Sequence, residues 1–124
     1  PETLMQSLAE ATQDDLPAAH VVKALNNQAM EVFNNDAAAL RQAGVQGFLA
    51  GDDAQAKALV GGLLEDLGFK PVDFGPLSNA WLLEIQADLL RTYMFATGNS
   101  RVVPGLIEAP QAGPRFGARR KGTY

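Results

Sequence analysis

Residues 45–74 read VQGFLAGDDAQAKALVGGLLEDLGFKPVDF, and the fold turns on this stretch. Val45-Gln46-Gly47-Phe48-Leu49-Ala50 is a short apolar run closed by the turn sequence Gly51-Asp52-Asp53, the pattern of a buried strand. Beyond it Ala56, Leu59, Val60, Leu63, Leu64 and Leu67 recur at three- and four-residue spacing, which predicts a helix with one apolar face. Asp52 or Asp53 caps that helix, where a carboxylate accepts from free backbone N–H groups and complements the helix dipole. The pair reads as a cap in preference to a metal site. Gly68 follows the last apolar position, where a left-handed backbone costs glycine little. Gly61 and Gly62 each cost about 1 kcal/mol relative to Ala inside a helix, so another backbone is expected to pack closely there. Residues 69–74 form the next strand, with Pro71 placing it at a start or an edge because proline donates no ladder hydrogen bond.

Working outward, Gly75-Pro76 turns the chain, and Ser78 is expected to cap a long helix through about residue 96, closed by Gly98. Trp81, Leu82, Ile85, Leu89, Leu90, Tyr93 and Met94 cover a broad arc of it, so burial against more than one neighbour is expected. Trp81, Tyr93, Met94 and Phe95 read as core or interface in preference to a cofactor pocket. Towards the N-terminus, residues 3–14 read as a helix capped by Thr3, with Leu4, Leu8 and Ala11 at helical spacing, ended by Pro17. Residues 20–25 form a strand apolar on both sides, ending in the turn formers Asn26-Asn27. Asn35 or Asp36 caps a short helix over residues 37–43, closed by Gly44. Helices alternating with strands predict a layered α/β fold with crossover helices. About three strands make a thin sheet, which suggests that strands are missing from it.

Several function classes fall away on composition. The chain of 124 residues has no cysteine, so disulfides and thiolate chemistry are excluded. His20 is the only histidine and reads as a structural or surface residue. No apolar run is long enough to span a membrane and no secretory signal is visible, so a cytoplasmic protein is expected. Residues 1–100 carry five Lys/Arg against thirteen Asp/Glu, whereas residues 101–124 carry five (Arg101, Arg115, Arg119, Arg120, Lys121) against Glu108. The acidic body repels nucleic acid, and the basic tail reads as solvated or docked on the body. Lys23, inside an apolar run, either reaches an anionic group or snorkels from the strand edge.

VVKALN (21–26), FLAGDDAQAK (48–57) and LGFKPVDFGPLSNAWLLE (67–84), in this order and spacing, resemble the C-terminal half of the NADP-dependent oxidoreductases of the deazaflavin (coenzyme F420) reductase family. The cytoplasmic domains of the STEAP metalloreductases carry a similar pattern. The resemblance covers residues 18–97, and Gly75-Pro76-Leu77-Ser78-Asn79 is its most specific piece. It implies a partial Rossmann-type sheet plus a long C-terminal helix, with residues 1–98 as half of an NAD(P)-binding domain and residues 99–124 as an irregular basic tail. It implies NADP as cofactor, with F420 or a flavin as hydride acceptor. The nicotinamide end would lie by Asn26, Asn27 and the backbone near Met30, and the deazaflavin by Leu77, Ser78 and Asn79.

The chain has no G-x-G-x-x-G after a strand, so the phosphate-binding half is expected to be absent and the isolated chain inactive. Pro1 fits either a trimmed initiator Met or a start inside a longer protein. Hydride transfer needs orientation more than a protein acid or base, so no catalytic residue is assigned. The partner is expected to be the missing N-terminal half or a second copy, in a homo-oligomer. The competing reading is a non-enzymatic module that dimerises through its long helix and sheet edge.

Overall fold

The strand β2 (Gln46–Gly51) is buried at nearly every position, because both of its faces are covered. Alternate residues of a strand point to opposite sides. Phe48 and Ala50 join Ala9, Leu77, Ala80 and Leu83 in one core, while Leu49 joins Val32, Leu40, Val45, Leu64 and Phe69 in a second. Phe48 and Leu64 are each 1% exposed, and burial of side chains of this size contributes about 2 kcal/mol apiece. Gly47 leaves no room for more: a Cβ there would stand 3.1 Å from Phe69 Cβ and 3.2 Å from Leu64 Cδ2.

The computed structural model describes residues 6–110. Around β2 lie α1 (Leu8–Asp15), β1 (Val22–Ala24), a 3₁₀ helix (Met30–Asn34), α2 (Ala37–Ala43), α3 (Ala54–Asp66), β3 (Lys70–Asp73), a second 3₁₀ helix (Leu77–Asn79) and α4 (Ala80–Thr97). The sheet runs β1-β2-β3, with β2 parallel to β3 and antiparallel to β1. α1 and α4 cover one face; α2, α3 and the first 3₁₀ helix cover the other. This is the α/β layered architecture expected, with α3 as the crossover between parallel strands. Lys70 N–H donates to Val45 O and Phe74 N–H to Leu49 O, both 2.8 Å, so these residues face β2. Pro71 and Asp73 consequently present their backbone to the open edge, as expected of an edge proline.

Asp53 caps α3 through Ala56 N–H, and Asp36 caps α2 through Ala39 N–H. Gly44 and Gly98 close α2 and α4 in left-handed conformations. Several expectations need correction. β1 is half-buried where full burial on both sides was expected. The first helix starts at Leu8, because Ser7 and Glu10 form a reciprocal capping box; the proposed Thr3 cap and Leu4 lie outside the described residues. Ser78 does not cap α4: it lies inside the 3₁₀ helix, and Asn79 holds the N-cap position without a side-chain cap bond. The apolar face of α3 is divided, with Leu64 buried and Leu59, Leu63 and Leu67 exposed. Among the described residues no other backbone comes within 4 Å of a Cβ placed at Gly61 or Gly62; Gly61 faces the side chains of Leu49 and Pro71 at 4.0 Å.

The tail starts as a strap on the body. Val103 packs against the second core, and the Gln46 amide clasps the backbone of Leu106 through both its groups, at 2.7 and 2.9 Å. Arg115, Arg119, Arg120 and Lys121 lie outside the described residues.

Two glycines separate backbone strain from steric overlap. Gly68 has φ +97°, and a Cβ there would lie 2.3 Å from Ala37 O; Gly44 has φ +71° with nothing within 4 Å. In urea denaturation, Gly44→Ala should cost about 1 kcal/mol, the strain of one left-handed residue. Gly68→Ala should cost at least about 3 kcal/mol, because overlap with Ala37 adds to that strain. Equal losses would show that α2 gives way freely.

Candidate functional site

Leu77, Ser78 and Asn79 follow the carboxyl end of β3, beside the carboxyl end of β2. The loops after these two strands are tied together by backbone and carboxylate groups. Gly51 N–H donates to Gly75 O at 3.0 Å, and Asp52 Oδ1 accepts from Leu77 N–H at 2.9 Å. Lys57 Nζ reaches both oxygens of Asp73 and the carbonyl of Gly75, and Asp73 Oδ1 accepts from Gly75 N–H at 2.7 Å. The Asn79 amide donates to Phe74 O at 2.7 Å and closes the turn. Gly75 has φ +90°, a conformation that suits glycine. The loop is thus held rigidly, with Leu77 buried beneath it, Asn79 partly covered and Ser78 exposed.

Asn26, Asn27 and Met30 lie elsewhere. β1 is antiparallel to β2, so its carboxyl end reaches the opposite end of the sheet, beside Gln46. Asn26 Nδ2 donates to Leu83 O at 2.9 Å, and Asn27 Nδ2 donates to Gln86 Oε1 at 2.6 Å. These amides dock the turn onto α4. Asn79 and Gln86 are seven residues apart, about 10 Å at 1.5 Å per residue, so the two candidate groups do not share one pocket.

The turn nevertheless has unused capacity. Asn27 is 2% exposed, and the buried side-chain oxygens of Asn26, Asn27 and Gln28 have no hydrogen-bond partner among the described residues. They adjoin a cavity of about 140 Å³ lined also by Ala87, Leu90, Arg91 and Met94. Leu25, just before them, has φ +60°, an uncommon conformation for a leucine. Met30 is 79% exposed.

The remaining candidates take structural places. Lys23 Nζ lies 3.9 Å from Glu84, whose other contact is with Leu8 N–H at 2.7 Å, so the lysine pairs with the chain's own carboxylate. His20 is exposed, 4.0 Å from Asp53. No group of three His, Cys, Asp or Glu able to hold a metal occurs among the described residues. Sequence reading missed the Asp52–Leu77, Lys57–Asp73 and Lys23–Glu84 contacts. Their residues are separated by 16 to 61 positions, and no local pattern marks such pairs.

No family model matches the chain. No curated protein matches it either. Among solved structures, it is similar to an inferred F420-dependent NADP reductase from Arthrobacter sp. FB24, with a TM-score of 0.73 and 27% sequence identity. The match covers 84% of this chain and 47% of that one, so the chain spans about half the length of this relative.

Proposed function

We propose that the chain is the C-terminal half of an NAD(P)-dependent oxidoreductase domain that passes hydride between NADP(H) and a deazaflavin or flavin acceptor. The observation that carries this reading is the likeness over 84% of the chain to an inferred F420-dependent NADP reductase, of which the match covers 47%. A bound dinucleotide supplies the hydride; the residues here orient the reactants.

The residues fit one end of such a cofactor and not the other. The free oxygens of Asn26 and Asn27 would accept from the carboxamide N–H groups of a nicotinamide, with Met30 against the ring. Ligand pockets enclose about 300–1,000 Å³, so the small cavity beside Asn27 receives an edge, not a whole ligand. Nothing in the sequence cradles a pyrophosphate, since no G-x-G-x-x-G is present. That end belongs to the other half of the domain. Reacting atoms must come within about 3–3.5 Å, so in this reading Ser78 and Asn79 would meet a distal part of the acceptor, away from the transferred hydride.

No helix among the described residues is long and apolar enough to cross a membrane, and we take the protein to be cytoplasmic. The competing reading, a non-enzymatic association module, draws on the exposed apolar side of α4; association is compatible with either reading.

Calorimetric titration of the chain with NADPH should give no binding at micromolar ligand, and adding the glycine-rich half should restore both binding and reduction of a deazaflavin. Submicromolar binding by the chain alone would defeat the half-domain reading. In the reconstituted enzyme, Ser78→Trp should raise KM for the acceptor about tenfold, a loss of about 1.4 kcal/mol, with NADPH affinity unchanged. Asp52→Ala frees the Leu77 N–H, so amide exchange at Leu77 should accelerate about fivefold for a lost bond worth about 1 kcal/mol. Unchanged exchange would show that Asp52 does not hold the loop.

A further inference from the structure

The strap begins at Asn99, directly after the left-handed Gly98 that closes α4. Asparagine is chemically labile: it loses its amide without an enzyme when the next backbone nitrogen attacks the side-chain carbon. The attack needs an exposed amide, an unengaged N–H on a small following residue, and stabilisation of charge at Oδ1. Five of the six asparagines fail on at least one count. Asn26 and Asn27 are covered and tied to α4 through Nδ2. The nitrogens that follow Asn34 and Asn79 are engaged, Asn35 N–H by Val32 O and Ala80 N–H by Leu77 O. Asn35 has its own amide bound to Val32 O, and the anionic Asp36 follows it.

Asn99 meets every condition. It is exposed, and its Nδ2 makes no hydrogen bond among the described residues. Ser100 is small, and its N–H is likewise unengaged among them. Arg101 N–H donates to Asn99 Oδ1 at 3.0 Å, and Asn99 N–H donates to Thr97 Oγ1 at 3.2 Å, so the turn is held from both sides. When the Ser100 nitrogen adds to Cγ, negative charge develops on Oδ1, and a donor already in place stabilises it. We propose that Asn99 is a self-modifying site, at which the chain deamidates and thereby releases its strap.

The Ser100 nitrogen forms a bond to Cγ, and its proton passes through solvent to Nδ2. The Cγ–Nδ2 bond breaks and ammonia leaves, giving a cyclic succinimide. Water then adds to one or the other carbonyl of the ring and leaves an aspartate or an isoaspartate. No oxidation or reduction is involved. Both products place a carboxylate just beyond the last turn of α4, where the helix dipole disfavours negative charge. The isoaspartyl product also lengthens the main chain by a methylene between α4 and Val103. That shifts the strap against its two anchors, the core contact of Val103 and the Gln46 clasp on Leu106. Because the ammonia diffuses away, the released fraction rises with the age of the chain. This inference does not rest on the reductase reading.

The folded chain, incubated at mildly alkaline pH and digested with trypsin at successive times, tests this directly. The tryptic peptide Thr92–Arg101 holds no other asparagine, so its mass reports on position 99 alone. It should convert before any other asparagine-bearing peptide, give both aspartate and isoaspartate, and convert faster as pH rises. Ser100→Pro removes the attacking N–H and should abolish the conversion. An unconverted Asn99, earlier conversion of another asparagine, or persistence in Ser100→Pro would overturn the site. Ion exchange separates the converted chain by its added negative charge. In that fraction amide exchange at Leu106 should accelerate about fivefold, for a lost bond worth about 1 kcal/mol. Unchanged exchange at Leu106 would overturn release of the strap.

Discussion

Everything else in this protein depends on the need to cover β2 on both faces. A strand carrying Phe48, Leu49 and Ala50 in succession exposes large apolar surface if either face is left open. α3 meets the demand on one side by crossing over from β2 to its parallel neighbour β3. On the other side α4 and α1 meet it, and this sets the direction of α4 along the sheet. The loops that leave the carboxyl ends of β2 and β3 are thereby brought side by side. Their mutual hydrogen bonds, Gly51 to Gly75 and Leu77 to Asp52, then hold the turn that exposes Ser78. The rigidity of that turn follows from the core two residues away.

Periodicity and turn chemistry made most elements legible. The helix over 54–66, its Asp cap, the left-handed glycines at 44 and 98 and the strand either side of α3 all express local rules, each carried by a few neighbouring residues. Strand direction is different. Val22-Lys23-Ala24 reads the same in a parallel or an antiparallel ladder, so the position of Asn26 and Asn27 at the far end of the sheet was not legible. The start of α4 failed for a related reason. Ser78 is a better N-cap residue than Asn79 by type, but the 3₁₀ turn after Pro76 delays the helix, and the Asn79 amide is engaged by Phe74 O. Tertiary hydrogen bonding overrode a local preference.

The Asn26-Asn27-Gln28 turn docks on its neighbours at a local cost. Each amide spends its N–H on the protein, to Leu83, Gln86 and Gln46, and leaves its oxygen buried without a partner among the described residues. A lone buried acceptor costs about 1–3 kcal/mol, and three together in a turn that also holds Leu25 at positive φ form a locally unfavourable arrangement. Such arrangements persist where the surroundings enforce them, and they concentrate at binding sites. The donor contacts to α4 supply that enforcement.

The two edges of the sheet are not equivalent, and the difference says where further strands can join. On the outer edge of β3, Pro71 offers a carbonyl and no N–H, so a strand added there loses a ladder hydrogen bond at its centre. Natural sheets use proline in this way to stop edge pairing. β1 has no proline, and its one edge lysine, Lys23, is turned towards Glu84 and does not guard the backbone. Extension of the sheet is therefore favoured at β1. A strand added parallel to β1 ends beside Asn26 and Asn27, and ligands of open α/β sheets bind beyond the carboxyl ends of their parallel strands. The antiparallel step between β1 and β2 is what separates the Asn26-Asn27 turn from the Leu77–Asn79 turn among the described residues.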